Sequence, residues 1–375
     1  MSSPKPTYNH WLDRWIFTSF AMSAEAMGLY RILFALYLLV WGVPNFEWIA
    51  DSPNSFFNPP AYSLAALFSG FPPYWFLQGL SLLIAVLTLL LLFGWFTRWI
   101  SIALCIAIVI GKSFSFSYGL IGQDLIVWLV PLLMSFSNWG NKYSIDAKRN
   151  NSAQTANSPW PITMMALLLG FGMFSAGVPK LLGGWLDVST HATRGHFFTQ
   201  YYVIGNLKLL SSWATNITNP FFWEAMDWGA VFFELLFLAA IIKPKWFRFW
   251  LLLSIGFHTT TFLLFNISFH FQYIVYLLFI DWGKIAPSFY PRFQALTDKL
   301  ITIKALIVIA LVYMPLYILA QEYTLQPTTL APSPFLLVTD LVGLDYKLVV
   351  GTTALIAAYA VVIWQLAAKR YNSTT

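Results

Sequence analysis

Apolar runs of roughly 17 to 25 residues recur along this 375-residue chain, and a run of that length suffices for a helix to cross a bilayer. They fall at residues 26–44, 74–95, 99–116, 120–136, 160–179, 227–242, 246–265, 267–280, 304–320 and 347–367; 267–280, with 14 residues, falls short of that length. A backbone in hydrocarbon must satisfy its polar groups within its own segment, so runs this long imply helices. The fold expected is all-α: a polytopic membrane bundle of about ten spans, eight at the least. No fixed-period repeat and no loop large enough for a soluble domain stands out. Residues 1–375 therefore read as one membrane domain.

Charge supports that reading. Only 10% of residues are charged, against roughly a quarter in an ordinary soluble domain. The formal +6 comes from cations scattered between spans, not from a basic face, which argues against nucleic acid as a partner. Cys105 is the single cysteine, so there is no internal disulfide and no paired-cysteine metal site. No glycine-rich phosphate loop or nucleophile elbow occurs.

The distribution of Lys and Arg sets orientation, since cations are retained on the cytoplasmic side. With the N-terminus inside, Arg98, Lys142, Lys148, Arg149, Lys243, Lys245, Arg248 and Arg292 are among the cations inside, whereas Lys180, Arg194, Lys208, Lys347 and, at a span end, Lys112 lie outside. Both termini are then cytoplasmic, and the long connections 45–73, 181–226 and 321–346 face out. Trp11, Trp15, Phe17 and Phe20 predict a short interfacial helix before the first span.

Ionisable residues inside or at the edge of spans are the candidates for chemistry, because a charge there is costly. Lys180 follows Pro179 at the end of the fifth run and precedes Gly183-Gly184-Trp185. Position alone favours a lysine snorkelling to the headgroups beside a belt tryptophan. A neighbouring acid would hold it charged and make it a structural ion pair, whereas an apolar pocket without a carboxylate would favour a neutral amine. Glu234 lies near the middle of the sixth run, and Asp227 is seven residues earlier on the same helical face, ~10.5 Å away along the axis. That pair fits a proton path or interhelical glue. Ser254, His258 and Thr261 form one polar stripe in the seventh run, placing His258 inside the bundle.

Other charges read as structural. Arg31 suits carbonyl bonding between helices, and Lys112 with Asp124 suits a salt bridge. His191 and His196 have a spacing that fits no zinc pattern, so no metal site is expected. Gly172 with Ala176 reads as a small-residue packing face, with Gly170 and Gly177 on the same helix.

Four segments in order carry a family resemblance: Gly28-Leu-Tyr-Arg31, Tyr143-Ser-Ile-Asp146, Ala176-Gly-Val-Pro-Lys180-Leu with Trp185, and the span containing His258. Over residues 26–282 the chain resembles the HTTM (horizontally transferred transmembrane) family, which is related to the membrane domain of vitamin K-dependent gamma-carboxylases. Residues 283–375 would then be a C-terminal membrane extension.

The resemblance implies that Lys180 is a base, with a quinone or reduced vitamin K as its cofactor, at the outer side of the membrane. Two departures point away from a full protein carboxylase. The large lumenal region is missing from this chain, and Gln123 falls roughly where those enzymes have a functional histidine.

The expectation is therefore an intramembrane enzyme in a bacterial inner membrane, using Lys180 with His258 or Glu234 on a lipid-soluble or lipid-delivered substrate. Two other classes stay open. One is a non-catalytic assembly or peptide-maturation partner, since some short bacterial relatives are associated with secreted peptides; the other is a proton-coupled transporter. Membrane lipids are the partners expected in every case.

Overall fold

The computed structural model describes residues 10–41, 43–119, 121–122, 124–149, 158–281, 288–323 and, beyond those, only 349, 351–354, 356 and 359. The described residues are helical, with no named strand among them. The longer elements are α1 (Trp11–Thr18), α2 (Ala24–Trp41), α3 (Tyr74–Phe93), α4 (Thr97–Ser115), α5 (Leu125–Met134), α6 (Ile145–Arg149) and α7 (Trp160–Leu182). They continue with α8 (Ala192–Phe198), α9 (Ser211–Ala214), α10 (Pro220–Ala240), α11 (Pro244–Phe265), α12 (His270–Tyr276), α13 (Phe289–Leu300) and α14 (Ile303–Tyr323).

Six of these, α2, α3, α4, α7, α11 and α14, are long and apolar enough to cross a membrane. The runs at 120–136 and 267–280 yield shorter apolar helices, Leu125–Met134 and His270–Phe279. Helix α10 spans 21 residues but carries Glu224, Asp227 and Glu234. The run at 347–367 lies largely outside the described residues, as does Gln123 entirely.

The chain divides into two compact units. One comprises residues 21–161 and 277–350, where α2 to α5 pack each against the next and α14 packs against α3. Its core includes the tilted aromatic group Tyr30, Phe34 and Trp139, and the Trp139 indole donates to Ser101 Oγ at 3.1 Å. Gly111 is placed so that an added Cβ would lie 2.1 Å from the ring of Phe46, so only glycine admits that ring.

Two of the segments quoted for the resemblance meet in this unit. Arg31 is fully buried, and its guanidinium donates to the carbonyls of Leu91 (2.5 Å), Leu92 (2.7 Å) and Tyr143 (2.5 Å). Gly94, at φ +64°, ends α3 in the left-handed conformation, and a Cβ there would collide with Ser144 and Arg31. Asp146 accepts from the backbone N–H groups of Phe96 (2.9 Å) and Thr97 (2.7 Å), satisfying donors at the start of α4. Gly28 lets the carbonyl of Lys142 approach, since an added Cβ would meet that oxygen at 2.7 Å. The two segments thus tie together the ends of α2, α3 and α4.

At the opposite end of α3, Glu47 is buried against Gln321, whose Nε2 donates to Glu47 Oε1 at 2.9 Å and to Tyr317 Oη at 3.0 Å. Burial pushes the Glu47 carboxyl up to about 7, against the hydrogen bonds of Ser81 and Gln321, which favour the charged form. A carboxyl raised from 4.5 in the folded state stabilises fully below that value, and its contribution is lost as pH rises through about 7. Detergent-solubilised protein should therefore melt at a lower temperature at about pH 8 than at about pH 5, and Glu47→Gln should remove much of that slope. An unchanged slope in Glu47→Gln would assign the pH dependence to other groups.

The second unit comprises residues 1–20, 162–276 and 351–375. Here α10 packs against α8 and α11, and α11 against α9. Phe197, Trp223, Leu264 and Phe265 form a buried core cluster. The amphipathic α1 joins this unit through Trp15 Nε1, which donates to the carbonyl of Ile241 at 3.3 Å, and through an edge contact of Phe20 on Phe247.

Candidate functional site

The site is built where α7 ends beside α10. Pro220 follows the cap residue Asn219, whose side chain accepts from Phe221 N at 3.0 Å, so α10 starts at a defined residue. From that start, Glu234 comes to face α7 while Leu236, two residues on, is exposed. Glycine makes the approach possible: a Cβ on Gly177 would stand 3.0 Å from Cβ of Glu234, and one on Gly170 would stand 2.9 Å from Ile241. The close face of α7 is therefore Gly170 with Gly177. Gly172 is only half-buried and Ala176 is exposed, so the expected Gly172–Ala176 face is not the one used against α10. Residues seven apart lie almost one above the other on a helix, whereas Gly172 is turned about 200° from Gly170.

Lys180 and Glu234 form an ion pair, with Nζ 2.6 Å from Oε1 and 2.5 Å from Oε2. The pair is asymmetric: the lysine side chain is 24% exposed and the glutamate 5%. The third contact of Nζ is a longer one, 3.4 Å to the carbonyl of Ala176. Gly184, at φ +78°, turns the chain after α7, and Trp185 N donates to the carbonyl of Lys180 at 3.1 Å. That turn lays the indole over the ammonium, 5.4 Å from Nζ to the ring centroid. An acid does stand beside Lys180, which is the arrangement expected of a structural ion pair.

His196 on α8 belongs to the same neighbourhood. Although His196 is exposed at the surface, partial desolvation and then the positive charge of Lys180 hold its imidazole below the ordinary histidine range. Its spacing from His191 excluded a zinc pattern, but nothing local in the sequence connects it to Lys180. Position 196 reaches the lysine only because α8 packs on α10.

Asp227 is fully buried on α10, and its Oδ1 accepts from Thr193 N at 2.7 Å and from the Thr193 hydroxyl. This carboxylate anchors the first turn of α8, while its Oδ2 has no hydrogen-bond partner among the described residues. One turn earlier, Glu224 Oε1 lies 2.6 Å from His191 Nδ1.

His258 is 2% exposed in α11 and shares a 2.8 Å hydrogen bond with the Tyr276 hydroxyl. Its ring stacks on Phe269 at 4.6 Å, and its Nδ1 has no partner among the described residues. Of the three site residues expected from sequence, Lys180 and Glu234 are brought into contact, and His258 makes its bond elsewhere, to Tyr276. Lys112 and Asp124, expected as a salt bridge, are 2.5 Å apart with the Trp128 indole donating to the same carboxylate oxygen at 2.8 Å. No cluster of metal-ligating side chains occurs among the described residues.

Fold and site together define a helical membrane protein with a part-buried lysine–glutamate ion pair at a helix end. Comparison with protein-family models, curated proteins and solved structures returns no match.

Proposed function

We propose that this chain is an HTTM-like intramembrane enzyme, related to vitamin K-dependent carboxylases, in which Lys180 is the base and Glu234 its proton partner. In this reading the protein has about ten spans, eight at the least, sits in a bacterial inner membrane with both termini cytoplasmic, and acts on a lipid-soluble or lipid-delivered substrate. The observation that carries it is the Lys180–Glu234 pair, which sets a basic and an acidic group 2.5 and 2.6 Å apart at the end of an apolar helix.

The pair supplies a base in one step. The ammonium gives a proton to the carboxylate, leaving a neutral amine and a neutral acid, with no change in net charge. An apolar ligand covering the quarter-exposed lysine excludes water, which weakens the ionised pair relative to the neutral one. The amine then takes a proton from the substrate and returns to ammonium. His258, paired with Tyr276, is the second proton-handling residue of the proposal.

A bound hydroquinone would supply an acidic hydroxyl and two reducing electrons. The residues present suit such a group: Trp185 offers an aromatic face beside Nζ, and the long contact to Ala176 is the one a ligand oxygen replaces most easily. Lys180 would orient the hydroxyl and accept its proton, while Glu234 would keep the proton that the lysine gave up.

A reduced naphthoquinone titrated into proteoliposomes tests this reading. Wild type should bind saturably, while the double variant Lys180→Met with Glu234→Leu, which leaves no buried charge unpaired, should not. Lys180→Arg should not restore turnover, because arginine stays protonated. Equal binding by wild type and the double variant removes Lys180 from the site. The reading favoured then is the non-catalytic assembly or peptide-maturation partner, in which the fully engaged ammonium is simply a structural ion pair.

A further inference from the structure

The connection between α7 and α10 holds an apolar surface that its own packing does not cover. Tyr202, Ile204, Leu207 and Trp213 are exposed, and Val203 is 79% exposed. These side chains sit on a backbone that is pinned in place. Leu210 N donates to the carbonyl of Leu263 at 3.0 Å, Lys208 N donates to Asn266 Oδ1 at 2.7 Å, and Asn266 Nδ2 donates back to the Lys208 carbonyl at 2.8 Å. Beneath them Phe197, Ala214 and Phe265 are buried in one cluster.

Those bonds set the depth of the segment. Leu263 and Phe265 belong to the last turn of α11, one of the helices able to cross the membrane, and Asn266 caps it. Residues 208–210 therefore lie within about one helical turn, ~5.4 Å, of the end of that helix. Aromatic and aliphatic side chains exposed at this level, with a lysine among them, match the chemistry of the boundary between headgroups and acyl chains.

We propose that residues 202–213 form a ledge that dips into the interfacial layer of the leaflet at the C-terminal end of α11, with phospholipid as the occupant of its apolar face. The inference rests on the membrane-crossing helices and on the loop geometry, and it stands whether or not Lys180 is catalytic.

Site-directed nitroxide labelling tests it. Cys105 is replaced by Ser, and single cysteines are introduced at Val203, Leu207 and, as the water-facing control, Ser189, which is exposed in a polar turn with Asp187. In phosphatidylcholine vesicles, labels at 203 and 207 should relax more with oxygen than with a water-soluble nickel chelate, and the label at 189 should show the reverse. Labels at 203 and 207 that behave like 189 overturn the proposal. So does spin–spin broadening at 203 and 207 that grows with protein density, because a second copy of the chain is then the occupant.

Discussion

Lys180→Met should destabilise the protein by about 3–5 kcal/mol at neutral pH, because it leaves the Glu234 carboxylate buried without its cation. The lysine's partial exposure places the loss toward the lower end of that range. Glu234→Leu should cost less, since the stranded ammonium has a route to solvent. Removing both together should recover most of the loss, as the replacement of a buried ion pair by apolar side chains is often neutral. Denaturant unfolding of the four proteins, wild type included, gives the coupling energy directly. Lowering the pH should shrink the Lys180→Met defect as Glu234 takes up a proton. The same variant should raise the His196 titration toward its ordinary range, since the charge of Lys180 contributes to holding it down. Additive single losses, with His196 unmoved, would mean that the pair is not coupled as the geometry says.

Arg31→Met should be comparably severe in the other unit. The guanidinium satisfies three carbonyls at once, and hydrogen bonds from a charged donor contribute roughly 1.5–3 kcal/mol each, so a loss of at least ~3 kcal/mol is expected. Arg31→Lys should rescue only part of it, because a single ammonium cannot hold the planar fork shared by Leu91, Leu92 and Tyr143. Thermal unfolding in detergent measures the loss, and faster amide exchange around Gly94 locates it. A stability within about 1 kcal/mol of wild type would show that solvent or backbone adjustment replaces these bonds.

Much of the architecture was legible in the chain. Hydrocarbon forbids unpaired backbone groups, so length and apolarity alone mark helices, and the bounds of α3, α4, α7 and α11 lie within a few residues of the apolar runs. Charges in such runs need partners, which is why Arg31, the Lys112–Asp124 pair and the inward placement of Glu234 and His258 on their two helices were readable from the chain.

Which partner each one takes was not readable. Lys180 and Glu234 are 54 residues apart, and no local period links them; the link is made by Gly170 and Gly177, which bring α7 against α10 at the depth of the carboxylate. Without that contact Lys180 would be the snorkelling lysine its position suggests. His196 enters the same neighbourhood through the packing of α8 on α10, anchored by Asp227, and the apolar face of residues 202–213 has its depth set by hydrogen bonds to the last turn of α11. Apolar periodicity and cation counts are properties of the chain taken locally. Ion pairing depends on distance in space, and only helix packing sets that distance.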